Sequence, residues 1–167
     1  MREIRVFSAL VLQAGMEIEL DDNVHRHVAR VLRLAVGDAL TLFNGDGFDY
    51  VGEIGFCDRR ATRVRILSRE VPGNESPLHL TLFAALLKGE AMDRVMQKAV
   101  ELGVSRIVPV AAARSEALPA GERRDKKLAH WQGVIVASAM QCGRAVLPAL
   151  EDRKSTRLNS SHVKLSR

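Results

Sequence analysis

The stretch Lys88-Gly89-Glu90-Ala91-Met92-Asp93-Arg94-Val95-Met96-Gln97-Lys98-Ala99-Val100-Glu101-Leu102-Gly103-Val104 holds the densest set of side chains able to do chemistry. Met92, Val95, Met96, Ala99 and Leu102 recur at helical spacing and predict a face packed on a sheet, while Glu90, Arg94, Gln97, Lys98 and Glu101 project elsewhere. Cations and an amide so arranged can hold phosphate oxygens, and a carboxylate can accept a proton. The same residues also make the i,i+4 ion pairs of any solvated helix face. Spacing alone leaves both open: an RNA or subunit surface, and a solvated face.

Arginines cluster twice more, as Arg26, Arg30 and Arg33 and as Arg59, Arg60, Arg63 and Arg65, each set able to make a small positive patch or a solvated face. His25 and His27 are spaced so that helical geometry points their rings apart, with no acid or cysteine to complete a metal set. Ser105 and Ser138 lack the context of a hydrolase nucleophile, and His79 and His130 are isolated. Trp131 could stack on an unpaired base, but it lies on an apolar stripe and is expected in the core. Cys57 and Cys142, far apart, read as reduced, partly buried thiols.

The elements that must position these residues fall into two patterns. Up to Arg69 the chain reads as short strands around one helix. Met16–Leu20 is a brief strand, Asp21-Asp22-Asn23 can cap a helix start, and Val24, Val28, Val31 and Leu32 form the buried stripe of a helix over Val24–Leu34. Ala39–Phe43 and Phe48–Phe56 flank Asn44-Gly45-Asp46-Gly47 as a hairpin, and Ala61–Arg69 alternates charged and mostly apolar residues. A small, mostly antiparallel barrel fits. Val71–Pro77, rich in turn formers, places a domain boundary. Beyond it, Leu78–Leu87 reads as a strand covered on both faces, Gly89–Leu102 as a helix, Ser105–Ala112 as a second buried strand, Gly121–Met140 as a helix with Leu128, Trp131 and Ile135 on one face, and Ala145–Leu150 as the start of a third strand. This order is that of a parallel α/β sheet.

The 167 residues allow one or two domains, and 47% hydrophobic with 27% charged residues fits a globular chain. No apolar run approaches the roughly 20 residues of a membrane span, and Met1–Arg5 has no signal-peptide core, so the expected location is the cytoplasm. The net charge of +5 is concentrated late: residues 1–150 hold 20 basic and 18 acidic residues. Bulk charge therefore argues little for nucleic acid.

Three segments then carry a resemblance: KGEAMDRVMQKAVELGVSRIVPV with RSE at 114–116, KKLAHWQGVIVASAMQCGRAVLP at 126–148, and HRHVARVLRLAVGDALTLFNGDG at 25–47. In this order, over nearly all of residues 1–150, the chain resembles the family that methylates uracil N3 in small-subunit (16S) ribosomal RNA. The resemblance implies a two-domain α+β and α/β chain. A PUA-like RNA-binding barrel over residues 1–72 would be followed, over 73–150, by the first part of a SPOUT-type knotted methyltransferase domain. It further implies a homodimer using S-adenosyl-methionine. RNA-contacting residues by this resemblance are Arg30, Arg33, Lys88, Glu90, Gln97, Lys98, Glu101, Arg114 and Arg144. No residue is identified as catalytic.

Two departures accompany it. Met140 stands where the family usually has a glutamate, and no glycine-rich loop able to hold the cofactor occurs before residue 151. Residues 151–167, without aromatic residues or periodicity, are expected to be a disordered, non-native tail. On this reading the chain is an enzyme fragment without its own cofactor site. The alternative is a non-catalytic RNA-binding module. A doubly wound small-molecule enzyme would need a glycine-rich first crossover, which Lys88-Gly89-Glu90 is not.

Overall fold

The structure is a computed structural model, and it describes residues 4–112 and 115–151. Arg114, expected to meet RNA, and all of the expected tail except Glu151 lie outside the described residues. The chain divides into two compact units, one taking residues up to Ser76 together with Val136–Leu147, the other Pro77–Ile135 and the residues from Pro148 on.

In the first unit a five-stranded sheet has the order β1 (Arg5–Phe7), β3 (Ala39–Phe43), β4 (Asp49–Cys57), β5 (Thr62–Glu70), β2 (Glu17–Glu19). The pairings are antiparallel except β1 with β3, which are parallel. Period-two alternation turns Leu40, Leu42, Tyr50, Ile54, Val64 and Ile66 into one core and leaves Arg63 and Arg65 outside. The expected hairpin is present: Gly45 and Gly47 take φ of 92° and 96°, and the Asn44 and Asp46 side chains accept the N–H groups of Asp46 and Phe48.

The helix expected over Val24–Leu34 requires correction. Asp21 does cap α1 (Asp22–Arg26), accepting the N–H groups of Asn23 and Val24 at 3.0 and 2.9 Å. From His27 to Val31, however, the backbone widens into a π turn, with Leu32 N–H reaching His27 O at 2.9 Å. The extra residue in the turn rotates the apolar stripe. Val28 is fully buried but Val31 is 68% exposed. The turn closes on Arg33, whose φ of 57° is the one positive value at a non-glycine among the described residues, as Leu34 N–H bonds Val28 O at 3.1 Å.

The second unit carries a parallel sheet in the order β6 (Thr81–Ala85), β7 (Arg106–Val110), β8 (Ala149–Leu150). Between the first two strands lies α2 (Glu90–Glu101), and between the last two α3 (Glu122–Cys142), the order expected of crossover helices. β6 is not covered on both faces: among the described strands it lies at the sheet edge, burying Ala84 while Phe83 is 53% exposed. On α2, Met92, Met96, Ala99 and Val100 are buried, but Leu102 is 74% exposed. The helix has ended at Glu101, and Leu102 with φ −87° and ψ 6° has left the helical path that would have kept it on the packed face. Trp131 and Ile135 are core residues. Glu151 belongs to the sheet: its N–H bonds Ile107 O at 2.9 Å and its carboxylate meets Arg106 at 2.9 Å. Among the described residues no helix is long and apolar enough to cross a membrane.

Candidate nucleic-acid interface

Arg30 lies in the π turn and Arg33 at its left-handed end, both exposed, and neither side chain makes a hydrogen bond or ion pair with another described residue. Arg26, one turn earlier, instead caps inward onto Asp22 O and the Asn23 side chain. Two long cations held on a short, sharply closed turn can meet phosphate oxygens without first breaking a protein pair.

The second arginine cluster differs. Arg63 meets Glu19 at 3.2 Å and covers the Phe56 ring, Arg65 stands in register with Glu17 and Glu53, and Arg69 lies 4.2 Å over the Phe48 ring. Carboxylates on the neighbouring strands stand beside Arg63 and Arg65, while Arg59 and Arg60 are exposed. At the preceding turn the Asp58 carboxylate accepts the N–H groups of Ala61 and Arg60, which holds its carboxyl below the usual range.

In the second unit, Lys88 is exposed at the C-terminal end of β6, followed by Gly89, whose φ of 51° and ψ of −136° admit few residues but glycine. On α2 the expected RNA-facing residues pair among themselves: Glu90 with Arg94 at 3.9 Å and Lys98 with Glu101 at 2.6 Å. Gln97 is half-buried beside them. Exposed pairs of this kind are weak, about 0–1 kcal/mol, so a phosphate can displace a carboxylate at little cost. A further pair, His130 with Asp93 at 2.9 Å, bridges α3 and α2.

Arg144 is placed otherwise. It is 5% exposed in the first unit, where its guanidinium meets Glu75 at 3.0 Å and its carbonyl accepts from Arg5. Arg5 in turn pairs with Asp49. Neither Glu75, which lies among turn-forming residues in Val71–Pro77, nor the three-residue strand β1 that delivers Arg5 carries a signal in residue type or spacing.

The first unit also holds two concavities of about 730 and 800 Å³ that share His27 and Met140. Phe7, Val24 and Val136 line one; Leu32, Ala137 and Gln141 line the other. His25 and His27 do point apart. His25 is buried with Nδ1 2.8 Å from Thr62 Oγ1, whereas exposed His27 opens on the concavities. Among the described residues no group of three potential ligands suits a metal ion.

Comparison with known proteins adds the following. Residues 20–67 match the family described as RNA methyltransferase PUA domain, and residues 74–164 the family described as RNA methyltransferase domain. The chain is 28% identical over 148 residues to the ribosomal RNA small subunit methyltransferase E of Buchnera aphidicola, covering 89% of this chain and 60% of that protein. The protein of the same name from Mycobacterium bovis is 33% identical, covering 85% of this chain and 54% of its own length. A solved putative methyltransferase from Legionella pneumophila, in complex with the cofactor SAM, superposes with a TM-score of 0.83 at 38% identity. The Neisseria gonorrhoeae ribosomal RNA small subunit methyltransferase E, bound to S-adenosyl methionine, gives 0.83 at 34%. Each comparison covers 90% of this chain and 62% of the solved one, so the chain spans about three-fifths of these relatives' length.

Proposed function

We propose, from the premise that the chain belongs to the RNA methyltransferase domain family, that it supplies the RNA-gripping part of an enzyme that methylates uracil N3 in small-subunit ribosomal RNA with S-adenosyl-methionine. The observation that carries this is the pair of exposed arginines, Arg30 and Arg33, whose side chains have no partner among the described residues, on a π turn inside the segment matching the PUA family. They take phosphates and set register without reading sequence. Lys88, Glu90, Gln97, Lys98 and Glu101 belong to a second contact surface, in which Glu90 exchanges its pair with Arg94 and Glu101 its pair with Lys98 for RNA groups; the resemblance adds Arg114 as a further RNA contact. Arg144, pinned by Glu75, positions its loop rather than touching RNA.

N3 of uracil is a weak acid, so the reaction needs that proton removed or the developing anion stabilised by cations or N–H donors. The arrangement of Glu90, Glu101, Lys88 and Arg144 assigns none of them that role. The residues described do not fit the methyl donor. At the crossover ends of the parallel sheet the glycines stand singly, Gly89 before α2 and Gly121 before α3, with no glycine-rich loop of the kind that cradles such a donor. Donor binding is assigned to the length of the relatives that this chain does not span. Residues 1–72 then act as the barrel and 73–150 as the first part of the knotted domain of a cytoplasmic homodimer.

A second reading, a non-catalytic RNA-binding module, is favoured by one observation: the first unit has its own continuous hydrophobic core. Two titrations separate the readings. Arg30→Ala with Arg33→Ala should weaken binding to small-subunit ribosomal RNA fragments and lower the salt slope by about 0.7–0.9 per lost phosphate contact, and an unchanged slope overturns the interface. Calorimetry with S-adenosyl-methionine should show binding only for a chain extended to its relatives' length. Micromolar binding by the 167-residue chain overturns the assignment of the donor site, and no binding by the extended chain favours the module.

A further inference from the structure

We infer that the paired concavities of the first unit form a slot for unstacked bases of single-stranded RNA, an inference that rests on the RNA-binding reading above and names the form of RNA it takes. The two spaces meet at His27 and Met140, and their volumes of about 730 and 800 Å³ lie within the roughly 300–1,000 Å³ of small-molecule sites. Their walls are mainly apolar. Phe7 offers a half-buried ring, held edge-on by Phe43 at a centroid distance of 5.5 Å, which leaves a fixed aromatic surface facing the slot. The polar groups at the opening, the His27 imidazole and the Gln141 amide, can both donate and accept, as base edges require.

Charge is distributed to match. The unpaired cations are not inside the slot but just along the chain from it: Arg33 follows Leu32, which lines it, and Arg30 lies less than one turn beyond His27. At the other end Asp21 and Asp22 line the space, which excludes phosphate there. An apolar, aromatic floor with cations on chain positions next to its lining residues fits a strand whose bases point inward and whose phosphates meet Arg30 and Arg33. A duplex, with its bases already stacked, cannot enter and meets the arginines alone.

The test compares a fluorescently labelled single-stranded oligoribonucleotide with the blunt duplex of the same sequence, by anisotropy on the full chain. Ala137→Trp adds bulk at an exposed position in the slot, and Phe7→Leu keeps apolar packing while removing the aromatic face. Unchanged circular dichroism melts establish that both variants fold. The expected result is about tenfold weaker single-strand binding for each variant, the scale of one lost base stack, with duplex affinity kept within about a factor of two. Equal weakening of both RNAs, or of neither, overturns the slot and leaves the RNA reading standing. If the parent chain binds neither RNA, both fall together.

Discussion

Arg144 and Glu75, 69 residues apart, form a closed clamp: Nε and Nη2 of the arginine both reach Oε2 of the glutamate at 3.0 Å, and Oε1 accepts the N–H groups of Ala145 and Val146 at 3.1 and 3.0 Å. Both oxygens of that carboxylate thus take two contacts each. The Asn74 side chain adds a bond to Gly143 O at 2.9 Å, so two successive residues of the turn-rich segment fasten the same loop.

Breaking the clamp from one side takes the carboxylate at 3.0 Å from a buried guanidinium and the shared acceptor from the Ala145 and Val146 N–H groups. Glu75→Ala should cost about 3 kcal/mol in urea denaturation, and Arg144→Met in the Glu75→Ala background should recover part of it, because the second change removes a buried charge that has lost its carboxylate. A loss under about 0.5 kcal/mol for the single variant would mean that the pair carries no net stability.

Arg33 gives a separation of stability from binding. Its left-handed backbone suits glycine, so Arg33→Gly should raise stability by about 0.5 kcal/mol while weakening RNA binding. Loss of stability in the same denaturation assay would mean that the arginine side chain holds the turn closed.

Gly52 sits at a register shift between β4 and β5, where an added Cβ would stand 2.6 Å from Val64 Cγ1 and 3.2 Å from Arg65 O. Gly52→Ala should therefore destabilise the first unit by about 2 kcal/mol, read as a lowered denaturation midpoint.

Tyr50 fixes one pH dependence. Burial, and then its hydrogen bond to the Asp46 carboxylate at 2.7 Å, raises its pKa above the usual 10.0. The folded state keeps the phenol proton where the unfolded chain loses it, so this contribution is full below pH 10 and is lost as pH rises toward the folded pKa. Tyr50→Phe should flatten the alkaline side of the stability profile. An identical alkaline slope in both proteins would show that the phenol is not the group responsible.

Much of the fold was legible because period-two and helical patterns are local. β5 alternates as read, the Asn44–Gly47 hairpin turns where its glycines stand, and α2 and α3 lie where their apolar stripes fall. What escaped was non-local or depended on one extra residue. The π turn at His27–Val31 has no signature in residue type, yet it moved Val31 to the surface and set the presentation of Arg30 and Arg33. The run Leu78–Leu87 is apolar enough for a central strand, but apolarity does not reveal a strand's place in the sheet order, and β6 is an edge among the described strands. Of the candidate site, Arg30, Arg33 and Lys88 are exposed as expected, whereas Arg144 is committed to Glu75, a partner in a segment whose composition reads only as linker.

The first unit borrows Val136–Leu147, and this orders its assembly in time. A barrel formed from the first 76 residues emerges from the ribosome early, but Glu75 must wait 69 further residues for Arg144. At synthesis rates of about 5–20 residues per second that interval is on the order of ten seconds, long beside the folding of a small domain. During it, the slot lined by Val136, Ala137 and Met140 lacks one wall. The nascent protein thus acquires its barrel before it acquires the place where a base would sit.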